Sequence, residues 1–296
     1  MKTFYAITVV FLFSFVSIAQ IQSTGLQNEK IPILIRCDDL GMCHSVNVAA
    51  KQMLNLGFPV STSVMFACPW YKEAVEILKE YPNVSVGIHL TLNAEWKNYR
   101  WGPISGASVV PSLVDSDGFF FPSRSKLFAN NPKLSEIETE LRAQIERAIH
   151  SGVKIDYMDY HMGAAVQTVE TRAIVEKLAA EYNLAVSRYF DEVDVEGGYS
   201  APIANKLDTL VMKVSTLQPG GTKLFVFHIG MDDAELSAME DLNISGPKDM
   251  SKHRQAELNA LISPQFQKAI HDKKLRLVNY RTLIEEKGLS NMKRPK

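Results

Sequence analysis

Cysteine is scarce in this chain: three residues, Cys37, Cys43 and Cys68, among 296. The odd count argues against a complete disulfide framework, and the lack of a CxxC pair argues against thiolate-bound zinc. Buried free thiols packed as small apolar groups are the expectation. Neither sign of charge is in excess, with 32 Lys and Arg against 33 Asp and Glu and a formal net charge of −1. Without a basic block or an acidic tail, bulk electrostatics gives no support for nucleic-acid binding. No apolar run reaches the ~20 residues that a membrane-spanning helix needs. No internal repeat and no inter-domain linker divides the sequence. What remains is ordinary globular composition, 46% hydrophobic and 22% charged, at a length that suits one large α/β domain or two small ones.

The amino terminus has the pattern of a secretory signal. Lys2 gives a positive start, Phe4 to Val16 is apolar, and small residues follow at Ser17 and Ala19. Cleavage after Ala19 would leave a chain that begins near Gln20, carries a charge of −2 and is secreted or periplasmic. A short segment, 20–30, then leads into a domain expected over 31–290.

Strand-like and helix-like segments alternate along that domain. Strands are expected at Ile31 to Arg36, Val60 to Phe66, Val84 to Leu92, Lys154 to Tyr160, Leu184 to Tyr189, Lys223 to Phe227 and Leu275 to Asn279. Helices are expected at Ser45 to Leu56, Tyr71 to Tyr81, Leu134 to His150, Val169 to Tyr182, Ala201 to Leu217 and Lys252 to Leu261, with a short one at the end. Asn93 to Pro132 lacks helical periodicity and reads as a long loop that forms a lid or wall. Such alternation implies a mostly parallel sheet with helices outside, and six or seven units favour a distorted (β/α) TIM-like barrel in a single domain.

The chemistry concentrates at strand ends. The run Ile33-Leu34-Ile35-Arg36-Cys37 ends in Asp38-Asp39-Leu40-Gly41, and three later strand-like runs end in His89, His161 and His228. Parallel α/β folds build their sites at the carboxyl ends of strands. Two adjacent carboxylates repel each other, and a bound cation relieves that repulsion. Asp39, His89 and His161 form a suitable ligand set for one divalent ion with open positions. Asp38 is then free to take a proton from a water activated by the ion, and His228 can serve as general acid. His44, His150, His253 and His271 fall in or beside helices and read as surface or structural residues.

These motifs resemble the YdjC/ChbG (ChbG/HpnK) carbohydrate deacetylases. The likeness runs through Cys37-Asp38-Asp39-Leu40-Gly41 with Val46-Asn47, then Gly87-Ile88-His89-Leu90-Thr91-Leu92, and Ser112-Leu113-Val114-Asp115 with Gly118-Phe119. It continues through Glu140-Leu141-Arg142-Ala143-Gln144-Ile145-Glu146 and Asp159-Tyr160-His161, and ends in Arg254 to Leu261 and Leu277 to Leu283. The resemblance implies a distorted barrel that removes N-acetyl groups from amino sugars with a divalent metal, magnesium or zinc. It assigns Asp39, His89 and His161 to the metal, Asp38 to the base and His228 to the acid. The partner it implies is an acetylated carbohydrate, with no nucleic acid and no stable membrane insertion after signal cleavage; a homodimer is compatible with it. Two departures bear on the substrate: Met162-Gly163 stands where a second histidine is usual, and Ile229 replaces a proline.

Two further residues are candidates for support. Asp159 precedes a proposed ligand and can accept a hydrogen bond from a metal-bound histidine. Arg188 is a candidate to orient Asp38 or to bind substrate, and a buried structural ion pair fits it equally well. Two other functions compete. Glycoside hydrolysis needs two carboxylates facing each other across a bond, and a remote acid such as Glu95 would have to supply one of them. An exported carbohydrate-binding protein needs the cavity but has no need of a base beside a metal.

Overall fold

The structure is a computed structural model that describes residues 30–244, 246 and 248–295. The expected leader, 1–19, and most of the segment after it therefore lie outside the described residues. Eight strands form one sheet: β1 (Pro32–Leu40), β2 (Ser61–Val64), β3 (Ser85–Leu90), β4 (Ile155–Tyr160), β5 (Ala185–Val186), β6 (Glu192–Val195), β7 (Thr222–Phe227) and β8 (Arg276–Val278). Their order is β5-β4-β3-β2-β1-β7-β6, with β8 against β1, and every pairing is parallel.

β7 lines one edge of β1 from Ile33 to Cys37. The other edge is shared, with β8 beside Pro32–Leu34 and β2 beside Arg36–Leu40. The sheet curves into a barrel but stays open between β5 and β6. Side chains bridge that opening: the Arg188 amide donates to Glu192 at 2.8 Å and its guanidinium pairs with Asp194 at 2.8 Å.

The alternation of β1 defines inside and outside. Ile33, Ile35 and Cys37 pack into the large core between sheet and helices. Leu34 joins Tyr157, Phe190, Leu224, Val278 and Tyr280 in a smaller interior cluster. Arg36 and Asp38 share the Leu34 face, because successive residues of a strand point to opposite sides. All three cysteines are buried and unpaired, as expected, and burial lifts their thiols, Cys43 to about 12.

The helix Leu134–Ile149 shows why the long loop holds its place. Ile137, Leu141, Ile145 and Ala148 recur at helical spacing and are buried. Glu140, on the same helix, accepts from the Ile104 and Ser105 amides at 3.0 and 2.9 Å. Glu136 accepts from the Ser112 amide at 2.7 Å. Gln144 takes the Thr91 amide at 2.9 Å and returns a donor to the Thr91 carbonyl at 2.7 Å, clamping the chain just past β3. The segment 93–132 is thus an ordered wall. It contains the short helix Arg124–Ala129 and a bridge between Trp96 and Asp241.

Some expectations needed correction. The helix expected over Ser45 to Leu56 runs from His44 to Leu54 with Cys43 at its cap position, and the Ser45 hydroxyl donates to Asp233 and Glu235. Strand β6 and the helix Pro264–Asp272 were not expected from the pattern. Among the described residues no helix is long and apolar enough to cross a membrane.

Candidate active site

Strand alternation alone would send Asp38 and Asp39 to opposite faces. The backbone breaks the alternation. The register of β1 against β2 shifts between Cys37 and Leu40, and Asp39 adopts a left-handed φ of 67°. Both carboxylates consequently line one cavity of about 140 Å³ at the carboxyl end of the sheet, together with His89, Glu95, Trp96, His161, Tyr199, His228 and Arg254. Holding a non-glycine residue in the left-handed region costs energy, on the order of 1–3 kcal/mol.

Three donors meet in that cavity. Asp39 Oδ1 lies 3.4 Å from His89 Nε2 and 3.4 Å from His161 Nδ1, and the two ring nitrogens are 3.3 Å apart. The three residues are buried. Two ligands at ~2.1 Å from one ion stand about 3.0–3.4 Å apart when the angle between them is near 90–110°. The triangle therefore fits a single divalent ion bound through one oxygen and two nitrogens. Asp39 Oδ1 has no hydrogen-bond partner of good geometry among the described residues, as a ligand oxygen requires.

The far sides of both imidazoles fix which nitrogen is free. His89 Nδ1 donates to Asp159 Oδ1 at 2.8 Å, and His161 Nε2 donates to Glu95 Oε2 at 2.9 Å. A carboxylate only accepts, so those nitrogens hold protons, and Nε2 of His89 and Nδ1 of His161 are the nitrogens that face the centre and would offer lone pairs to an ion once deprotonated. The first contact follows from sheet register, since His89 and Asp159 are direct partners on β3 and β4. Asp159 stands behind His89, and Glu95 stands in the same way behind His161.

Charge shapes the same groups when only protein surrounds them. Burial works against a charged His89, but the Asp159 and Asp38 carboxylates outweigh it and raise the imidazole well above its ordinary value. Burial also opposes protonation of His161, and Glu95 and Asp39 overcome it, lifting the ring to about 9. Burial would raise Asp39, yet the Arg254 guanidinium and both histidines hold it well below the usual carboxylate range. Arg254 Nη2 donates to Asp39 Oδ2 at 2.6 Å.

Asp38 is held by a different arginine from the one expected. Arg36, two residues earlier on the same face of β1, donates from Nε to Asp38 Oδ1 and from Nη2 to Oδ2, each at 2.7 Å. Its Nη1 reaches Ser187 Oγ at 2.7 Å, and its Nε lies 3.0 Å from Asp159 Oδ2. Arg188 is placed elsewhere. Its own φ is 73°, which turns it toward Asp194 in the gap between β5 and β6 and over the Tyr160 ring.

His228 follows β7 and lines the cavity that holds Asp38. Its amide donates to Glu257 at 2.8 Å, its ring packs on Tyr199 with centroids 5.2 Å apart, and its buried Nδ1 has no partner among the described residues. Ile229 is buried, and Gly230 is closely packed: an added Cβ would meet the Leu236 side chain at 2.5 Å and Arg254 at 3.2 Å. Met162 and Gly163 both take left-handed φ values, 48° and 73°. Met162 is 44% exposed at the cavity, with Asn93 Nδ2 2.9 Å from its sulfur.

A curved parallel α/β sheet that gathers an Asp-His-His donor triangle and a second carboxylate at its carboxyl end defines a barrel-type protein with a mononuclear metal-site geometry. The profile of the family described as YdjC-like protein matches residues 32–272, and the chain belongs to that family. A carbohydrate deacetylase of Brevibacillus brevis (strain 47) is 29% identical over 262 residues, which cover 85% of this chain and 99% of the relative. A carbohydrate deacetylase of Thermoanaerobacter pseudethanolicus (strain 39E) is 27% identical over 265 residues, covering 85% and 98%. A crystal structure from Enterococcus faecalis V583, described as a candidate cellobiose-phosphate cleavage protein, shares the fold. Its TM-score is 0.69 at 24% identity, over 86% of this chain and 99% of that one.

Proposed function

We propose that this protein is a metal-dependent hydrolase that removes acetyl groups from N-acetylated amino sugars or their oligosaccharides. The observation that carries the reading is the donor triangle of Asp39, His89 and His161 with Asp38 beside it and His228 in the same cavity. Similarity to carbohydrate deacetylases over nearly their whole length supports the substrate class.

The ion, when bound by Asp39, His89 and His161, supplies Lewis acidity toward the acetyl carbonyl and the attacking water. Asp159 and Glu95 hold the two imidazoles in the tautomers that ligation needs. Asp38 accepts the proton of the attacking water, with both its oxygens fixed by Arg36 so that its direction is set before substrate arrives. His228 delivers a proton to the departing amine. The mixed oxygen and nitrogen set suits zinc, and the family resemblance keeps magnesium in play. Secretion through the leader at 1–19 completes the proposal.

A panel of N-acetylated mono- and oligosaccharides, assayed in parallel for acetate, free amine and new reducing ends, tests this reading. Acetate and amine in equal amounts without new reducing ends support it. New reducing ends without acetate would establish glycoside hydrolysis instead. Saturable sugar binding without either product would mark a carbohydrate-binding protein.

A further inference from the structure

Polar groups that find no partner inside a folded protein are rare and costly, at about 1–3 kcal/mol each. Half of those among the described residues gather at one place. Asp39 Oδ1, His228 Nδ1, Trp96 Nε1 and two donors of Arg254, Nε and Nη1, are all buried without a hydrogen-bond partner among the described residues, and all four residues line the cavity. The proposed ion accounts for Asp39 Oδ1 and the leaving group for His228. Trp96 Nε1 and the free donors of Arg254 remain, and of these only Arg254 carries charge.

Arg254 is 4% exposed and lies on the helix Met250–Leu261. Among the described residues only one of its nitrogens, Nη2, is engaged, with Asp39 Oδ2 at 2.6 Å. Its guanidinium carbon lies 6.0 Å from the centroid of the buried Trp96 ring, which limits how the plane can turn. Gly230 gives the neighbouring chain room to lie against its side chain. A fixed, desolvated guanidinium beside a metal ligand, with donors to spare, is suited to an oxygen that gains negative charge during the reaction.

The surrounding charge decides which oxygen that is. Asp38, Asp39, Glu95 and Asp241 line the cavity and Asp159 lies behind it, whereas among the described residues the guanidiniums at the site are those of Arg36 and Arg254. Arg36 is already spent on Asp38, Asp159 and Ser187. Even with a divalent cation and neutral histidines, five carboxylates exceed the positive charge. A substrate carboxylate or phosphate would be repelled. A neutral acetamido group, whose oxygen becomes negative only as the tetrahedral intermediate forms, meets no such penalty on binding.

We infer that Arg254 is a catalytic residue which donates through its free Nε–H or Nη1–H to the acetyl oxygen of the substrate as water adds to the carbonyl. This rests on the deacetylase reading above. In the step, the carbon–oxygen bond to water forms and the carbonyl π pair moves onto that oxygen. Asp38 takes the water proton, and Arg254 stabilises the oxyanion without giving up its own. As the intermediate collapses, the carbon–nitrogen bond breaks, the amine leaves with the proton from His228, and acetate remains.

The test is Arg254→Lys, which keeps a cation for Asp39 and removes the fork, with Arg254→Ala as a second variant. Both are assayed for acetate release with bound metal measured in the same samples. The expected result is a fall in kcat of about 10²–10³ at nearly unchanged KM and full metal occupancy. Added guanidinium ion is expected to restore part of kcat in the alanine variant, which a merely structural role would not allow. A kcat within about threefold of wild type in the lysine variant at full occupancy would overturn the inference while the deacetylase reading stands. A loss that excess metal alone repairs would overturn it too, since Arg254 would then only be holding Asp39. Absence of acetate from the wild-type protein on every sugar would overturn both readings.

Discussion

Asp38 and Arg36 meet because residues two apart on β1 share a face, so removing the charge of one acts on both. Asp38→Asn is expected to keep metal uptake, because the donor triangle does not include Asp38, and to lower turnover by about 10²–10⁴. Acetate release measured beside metal content checks this. Glu95→Gln retains an acceptor for His161 but weakens it, and metal affinity should fall about 10–100-fold by competition with a chelator. The metal-free protein carries a further signature at His161, whose value rises from 6.5 to about 9 on folding. A raised value means that the folded state binds the proton more tightly than the unfolded chain. The resulting stability, on the order of 3 kcal/mol, is fully present below pH 6.5 and disappears as pH climbs through about 9. Denaturant unfolding of chelated protein between pH 6 and 10 should show that decline, and a flat profile would contradict it. At this scale the sequence displayed Asp38, Asp39, His89, His161 and His228 because each closes an apolar run. It hid the roles of Glu95 and Arg254, whose partners lie 66 and 215 positions away. Arg36 was within reach from its spacing to Asp38, whereas Arg188 makes the ion pair its position also allowed, with Asp194 and not with Asp38.

The elements that position these side chains depend on close packing between neighbouring strands. Gly87 on β3 faces Tyr157 on β4, and a Cβ at Gly87 would lie 2.3 Å from the tyrosine ring. Gly87→Ala should therefore displace Tyr157 and with it the register that sets Asp159 against His89. A loss of about 1–3 kcal/mol, with weakened metal binding, is the expected outcome; unfolding and metal titration of the variant measure it. The same packing explains which elements were readable. β1, β3, β4 and β7 are buried on both faces and show as apolar runs. β6 has only four residues, Glu192-Val193-Asp194-Val195, at the edge of the sheet, so its pattern is weak. The helix Pro264–Asp272 buries only Phe266 and Ile270, too little to stand out. The long segment 93–132 gave no periodicity because its order comes from Glu136 and Glu140 on another element.

At the scale of the whole molecule, the sheet is open on the side where β5 and β6 fail to pair and tightly organised where β1, β3 and β4 end. The strained Asp39 backbone and the unpartnered donors are concentrated at that organised end, which is where function tolerates what folding alone would disfavour. The donor triangle is buried and its histidines are backed by carboxylates, a geometry that suits one ion held before any sugar arrives. Titrating chelated protein with zinc or magnesium, while recording ion uptake and acetate release in one sample, tests this most directly. The account predicts that acetate release rises in proportion to bound metal, saturates at one ion per chain, and is lost with metal uptake in His89→Ala. Acetate release that persists at full strength in the chelated protein would contradict it.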